Sequence, residues 1–218
     1  MHSRHYVWHH VGLLIVLLGV LAWSAIGPRD RFTWFLEVFP VVIAVPLLMW
    51  TYRRFRLTTL AYVLITLHAI ILMVGGHYTY AEVPLFNWIR DAFHLSRNHF
   101  DRVGHFAQGF VPAIIAREVL LRTSPLLRGK WLFTIVTAIC LAISALYELL
   151  ECGVALATGS AAEAFLGTQG DPWDTQSDMA LALVGAVLAQ LLLAYLHDRQ
   201  LRNIHVRVVA PAMFVVED

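Results

Sequence analysis

Leu57–Ala81 reads LTTLAYVLITLHAIILMVGGHYTYA, 25 residues without one Asp, Glu, Lys or Arg. A helix of about 20 mostly apolar residues crosses the hydrocarbon of a bilayer. His5–Pro28, Trp131–Tyr147 and Met179–His197 are also free of charge, and only Glu37 interrupts Phe32–Tyr52. Val103–Ala116 lacks Asp, Glu, Lys and Arg too, but polar residues flank it on both sides. The pattern predicts an all-α, polytopic membrane bundle. Its six spans fall at about 8–27, 32–52, 57–76, 101–122, 131–152 and 177–197. A tail follows over 198–218, and residues 1–218 form one integral-membrane domain without repeat or low-complexity tract. The first segment is read as a span and not a signal peptide, because its apolar stretch is long and Ala22-Trp23-Ser24 makes a poor cleavage site.

Composition agrees. The chain is 59% hydrophobic and 14% charged, against about 45–50% and 25% for soluble domains. A soluble fold of this length cannot bury that excess. The formal net charge of +1 gives no footprint for nucleic acid. Cys140 and Cys152 have no metal-binding spacing and are expected to be buried thiols. Trp8, Trp34, Trp50, Trp88, Trp131 and Trp173 fall near span boundaries, as interfacial aromatics do.

Positive charge predicts the orientation. One side would carry Arg4, Arg53, Arg54, Arg56, Arg122, Arg128, Lys130, Arg199, Arg202 and Arg207. The other would carry Arg29, Arg31, Arg90 and Arg97, with Arg102 at a helix mouth. The bias places both termini in the cytoplasm.

The polar residues then gather at the outer ends of the last three spans. Asp101 and His105 are four apart and share a helix face, which Gln108 and Pro112 continue. Glu148 and Glu151 share a face at the end of the fifth span, with Ser144 a turn away from Glu148. Asp174 and Asp178 are four apart if the sixth span begins early, and Ala182, Gly185 and Ala189 follow on a small-residue stripe suited to close helix approach. Carboxylates and histidines inside a bilayer need a partner or a wet cavity. We therefore expect Asp101, His105, Glu148 and Asp178 in one cavity as candidate catalytic groups. His77, Glu82, Arg102, Gln108, Glu151, Asp171 and Asp174 are candidate substrate contacts. Asp171 and Asp174, in a loop with Gly167 and Gly170, would fold over the cavity. Glu148 is expected to lie deeper than Glu151. A divalent metal, if bound, would take His105, Asp101 and Glu148.

Each feature also has a plainer reading. Asp101 or Asp178 would serve as a helix cap, Asp171 and Asp174 as a turn, and Glu151 as a group emerging into water. Arg117 and Glu118, near the inner end of the fourth span, would pair or snorkel. His2, His5, His9 and His10 would be interfacial polar residues.

The stretch from His77 to Leu201 resembles the YjdF family of uncharacterised bacterial inner-membrane proteins. The blocks that carry the likeness are HYTYAEVP at 77–84, RNHFDRVGHFAQGF at 97–110 and GTQGDPWDTQ at 167–176. A remoter similarity is to VanZ-like membrane proteins, whose pattern Asp101, His105, Phe106, Glu148, Glu151 and Asp178 follow. That pattern has Asn four residues after its last Asp, where this chain has Ala182. The first resemblance implies a bacterial inner-membrane location without a mechanism; the second implies envelope chemistry by analogy. Three functions stay open: an intramembrane enzyme acting on an envelope lipid or lipid-linked precursor at the outer leaflet, a proton-coupled transporter, and a non-catalytic binding or scaffold protein. Little polarity on the cytoplasmic half of the helices speaks against transport.

Overall fold

The computed structural model describes residues 2–159, 165 and 168–204, with backbone alone for 2–6. Gly167, Arg207 and the side chains of His2, Arg4 and His5 lie outside the described residues. The elements are α1 (His2–Ser24), α2 (Arg31–Thr51), α3 (Thr59–Tyr78), a 3-10 turn (Tyr80–Glu82), α4 (Pro84–Ala92), α5 (Phe100–Thr123), α6 (Lys130–Thr158) and α7 (Asp174–Asn203). No strand occurs among the described residues. Asp30 starts α2 by accepting from the Thr33 amide at 2.6 Å, and Thr58 starts α3 by accepting from the Ala61 amide at 3.3 Å. Pro84 opens α4, where its missing N–H costs nothing.

Five helices, α1, α2, α3, α6 and α7, are long and apolar enough to cross a membrane. Among the six long helices the exception is α5, at the middle of the bundle, packed on α3, α6 and α7. Its Asp101, His105, Arg117 and Glu118 are buried, so its polarity is turned inward. The α5–α7 pair is the most extensive contact, and its cause is steric. A Cβ on Gly109 would collide with the Ala182 carbonyl, and one on Gly185 with the Phe106 carbonyl. Glycine at both points lets the two backbones touch. One apolar core joins Leu57, Ala61, Val111, Ile114, Val136 and Ala186; a second joins Leu17, Val38, Val41, Ala69 and Met73.

Several expectations are corrected. Helix α4 sits inside what reads as a loop; it is short and amphipathic, and periodicity over so few residues is weak. Helix α6 runs to Thr158 and α7 from Asp174 to Asn203, longer than the apolar runs alone, so the helix covers the first part of the expected tail. Cys140 is buried, but Cys152 is exposed on the outer face of α6. Five of the six boundary tryptophans are largely exposed; Trp34 instead donates to the Ser24 hydroxyl at 3.1 Å.

Candidate functional site

Where α5, α6 and α7 meet, four side chains converge on one imidazole. His105 Nε2 lies 3.4 Å from Asp101 Oδ1 and 3.8 Å from Asp178 Oδ2. His105 Nδ1 lies 3.1 Å from Gln108 Oε1 and 3.7 Å from Glu148 Oε1. The i, i+4 spacing of α5 supplies Asp101 and His105. Asp178 comes from the second turn of α7, because that helix begins at Asp174; Asp178 is therefore not its cap.

Two arginines hold the carboxylates. Arg97 donates to Asp101 Oδ2 at 3.3 Å and also to Asp174. Arg102 donates to Asp178 Oδ1 and lies 2.8 Å from both Asp171 and Asp174. Asp171 and Asp174 are thus tied down over the cluster by both guanidiniums. Asn98 and Gln169 lock the same loop to the start of α5, exchanging amide bonds of 2.9 Å each way. Just before α5, burial, with the Arg97 and Arg102 charges behind it, holds the His99 imidazole below its ordinary range.

A cavity of about 170 Å³ opens beside His105. Asp101, Gln108, Glu37, His68, Tyr147 and Glu151 contribute its polar wall. Glu37, from α2, accepts from the Tyr147 hydroxyl at 3.4 Å and from Tyr80. Tyr80 reaches this point because Gly75 and Gly104 leave its ring room; a Cβ on either would strike it. Glu148 and Glu151 are equally buried, each 8% exposed. Neither is the more accessible to water, since α6 continues past Glu151 by two turns. Glu151 lines the cavity, whereas Glu148 stands at its α7 side, hydrogen-bonded to Thr175.

Of the residues expected in one cavity, Asp101, His105, Gln108 and Glu151 line it; Arg102, Glu148, Asp171, Asp174 and Asp178 belong to the buried cluster beside it, and two expected contacts join neither. His77 bonds to the Ser24 carbonyl at 3.0 Å and stacks on Trp23. Glu82 pairs with Arg29 at 3.5 Å and with Asn87 at 3.3 Å. Both serve to hold the turn between α1 and α2 against the end of α3, because α3 ends at Tyr78 and carries them away from α6 and α7.

The polar cavity does not end in polar surroundings. An apolar groove of about 230 Å³ lies between α2, α3 and α5, lined by Val41, Ala44, Leu48, Ile65, Val111 and Ile115 among others. It shares Pro40, His68, Leu72 and Pro112 with the polar cavity. Both shared prolines sit inside helices, where each removes an intrahelical hydrogen bond.

A second buried network lies at the other end of α5. Glu118 accepts from the Thr58 amide at 3.0 Å, the Thr58 hydroxyl at 2.8 Å and Arg122 at 2.7 Å. Arg117 donates to His197 Nδ1 at 2.9 Å, so His197 carries its proton on Nε2 and donates it to Glu118 at 3.1 Å. Asp198 binds Arg117 at 2.8 Å and Arg128 at 3.0 Å. This corrects the expectation of an apolar inner half: these acids and bases fall at the ends of separate apolar runs and meet only in the fold.

Residues 9–199 match the family described as Predicted membrane protein (DUF2238). The chain belongs to this family. It is 52% identical over 189 residues to Inner membrane protein YjdF of Escherichia coli (strain K12), covering 87% of this chain and 90% of that protein. No solved structure matches it. These findings carry the first of the two resemblances and are silent on the VanZ-like one. This DUF2238 member is a multi-pass inner-membrane protein. Sequence reading overlooked Glu37, His68, Tyr80 and Tyr147 in its cavity and Arg97 among the carboxylates beside it. The signal for the first two was present: each is a polar residue alone in a long apolar run, which a bilayer tolerates only for a reason.

Proposed function

We propose that this protein binds, and acts on, the polar end of an amphipathic membrane molecule, a lipid or lipid-linked envelope precursor at the outer leaflet. The observation that carries the reading is the adjacency of the two cavities. A polar chamber with acids and an imidazole shares Pro40, His68, Leu72 and Pro112 with a groove of hydrocarbon character. A soluble metabolite has no use for the groove, and a bulk lipid chain has no use for the chamber. In this reading His105 is the acid–base group, oriented by Asp101 and Gln108. Glu148, Glu151 and Asp178 supply further proton-exchanging oxygens. With α5 as a sixth span enclosed by the others, both termini are cytoplasmic and the His105 end faces outward, as the positive charges favour.

The test uses the full chain in nanodiscs containing phosphatidylethanolamine with a diazirine near the end of one acyl chain. Labelling is expected to concentrate on groove residues such as Ala44 and Ile115, above that on exposed Leu149 and Leu150 of α6. Ala44→Trp is expected to abolish the excess. Even labelling across all lipid-facing helices would remove the reading.

A second reading, a proton-coupled carrier, is favoured by the buried Glu118–His197 network at the opposite end. Against it, the fully buried Ile114 and Ala186 separate the two networks with apolar contacts. Proton uptake into proteoliposomes driven by a solute gradient would reverse the preference.

A further inference from the structure

We infer that Asp101, His105 and Asp178 form a binding site for one divalent transition-metal ion. One ligand atom from each lies within 4.8 Å of the others, and all three residues are buried. The arrangement of their remaining atoms is what a metal requires. Each carboxylate has one oxygen held by an arginine, Asp101 Oδ2 by Arg97 and Asp178 Oδ1 by Arg102. The other oxygen of each points at the same atom, His105 Nε2, at 3.4 and 3.8 Å. One N–H cannot serve two acceptors well at those lengths. A metal with bonds of about 2.0–2.2 Å places its ligand atoms about 3.0–3.5 Å apart, so the gap accepts an ion after small inward shifts. The opposite ring nitrogen faces the Gln108 carbonyl oxygen at 3.1 Å. A proton held there leaves Nε2 with its lone pair toward the ion, the outer-shell support that ligating histidines commonly have.

An independent observation lies at the same imidazole. Glu148 Oε1 is buried with no hydrogen-bond partner, 3.7 Å from His105 Nδ1, the ring nitrogen that also faces Gln108. An unsatisfied carboxylate oxygen is costly away from water, and a water carried into the cluster with the ion would satisfy it. The donor count agrees as well. Six buried carboxyl groups, from Glu37, Asp101, Glu148, Glu151, Asp174 and Asp178, meet two arginines, Arg97 and Arg102. One imidazole with two carboxylates suits Zn²⁺ or Mn²⁺. Glu148, expected from sequence among the ligands, takes the outer position, and Asp178 replaces it next to the ion. The inference shares His105 and Asp101 with the proposed function but does not rest on the lipid reading; with the ion bound, His105 is a ligand and the acid–base role passes to Glu148 or Glu151.

The full-length protein, purified in mild detergent without chelators, is equilibrated with ZnCl₂ or MnCl₂, desalted and analysed for metal per chain. About one equivalent is expected in the wild type. Asp178→Asn is expected to lose it, and Gln108→Met to bind about 10–100-fold more weakly, the usual cost of an outer-shell change. X-ray absorption on the wild type needs no variant to fold. It is expected to show one imidazole and oxygen ligands, without sulfur. Absence of stoichiometric metal, a sulfur-containing shell, or unchanged metal in a folded Asp178→Asn would each overturn the site. If metal binds while acyl-chain labelling of the groove is even, the lipid reading falls and the metal site stands. If the groove is labelled and no metal binds, the reverse holds.

Discussion

At the scale of single residues, the pair Glu148 and Glu151 carries the sharpest consequence. Sequence position alone places Glu151 nearer to water. The fold gives both the same burial, and Glu151 shares the cavity wall with Glu37 and Tyr147. Glu148→Gln and Glu151→Gln are therefore expected to depress any phenotype of the protein to a similar degree while both remain folded in the membrane. Complementation of a strain that depends on the protein, with membrane abundance checked in parallel, reads this out. A wild-type Glu151→Gln beside a null Glu148→Gln would restore the simple depth argument and detach Glu151 from the site. The arginines show why the acids can be buried at all. Arg97 and Arg102 each serve more than one carboxylate, and buried acids persist where such partners satisfy them.

At the scale of elements, the α5–α7 contact positions the centre, and it depends on missing side chains. Gly185→Val is expected to force the helices apart and cost at least about 1–3 kcal/mol, the usual range for overpacking. Gly153→Ala, on the exposed face of α6 with nothing within 4 Å of the new Cβ, is expected to be neutral or slightly stabilising. Thermal unfolding in detergent compares the two; equal melting temperatures would mean that the close approach is not essential. This contact was legible in the sequence, because Ala182, Gly185 and Ala189 repeat at helical spacing below Asp178. The apolar runs likewise announced α1, α2, α3, α6 and α7. Helix α4 was not legible, since nine residues offer too little periodicity. Nor was the meeting of Glu37 and Tyr80 in the cavity beside His105: a lone acid in an apolar run marks Glu37 as unusual, but not that it joins a residue of the 3-10 turn. Short-range spacing reports which residues share one helix face, and only packing decides which faces meet. The same reason hid the Glu118–His197–Asp198 network, whose members come from α5 and α7.

At the scale of the whole molecule, two buried polar networks sit at opposite ends of α5 with an apolar core between them. The one around His105 borders a cavity with an apolar groove next to it. The one around Glu118 is closed on itself: Thr58, Arg122 and His197 all bond to Glu118. That contrast suits a one-sided site joined to a structural clasp better than an alternating pathway. The six-span reading requires both ends of the chain on the same side, and the positive-charge bias predicts that this side is the cytoplasm. A green fluorescent reporter after Asp218 is expected to fluoresce and an alkaline phosphatase fusion there to be inactive; the opposite pair of results would invert the orientation and put the His105 end inside.

The central claim is that the His105 chamber and the apolar groove hold one amphipathic molecule. Cryo-electron microscopy of the full chain in nanodiscs of native inner-membrane lipid, with an antibody fragment for alignment, tests it most directly. The account predicts one continuous density, its narrow arm along Ala44 and Ile115, passing between Pro40 and Pro112, its head beside His105 and Glu151. Density in the groove that stops short of Pro112, with only protein side chains in the chamber, would contradict it.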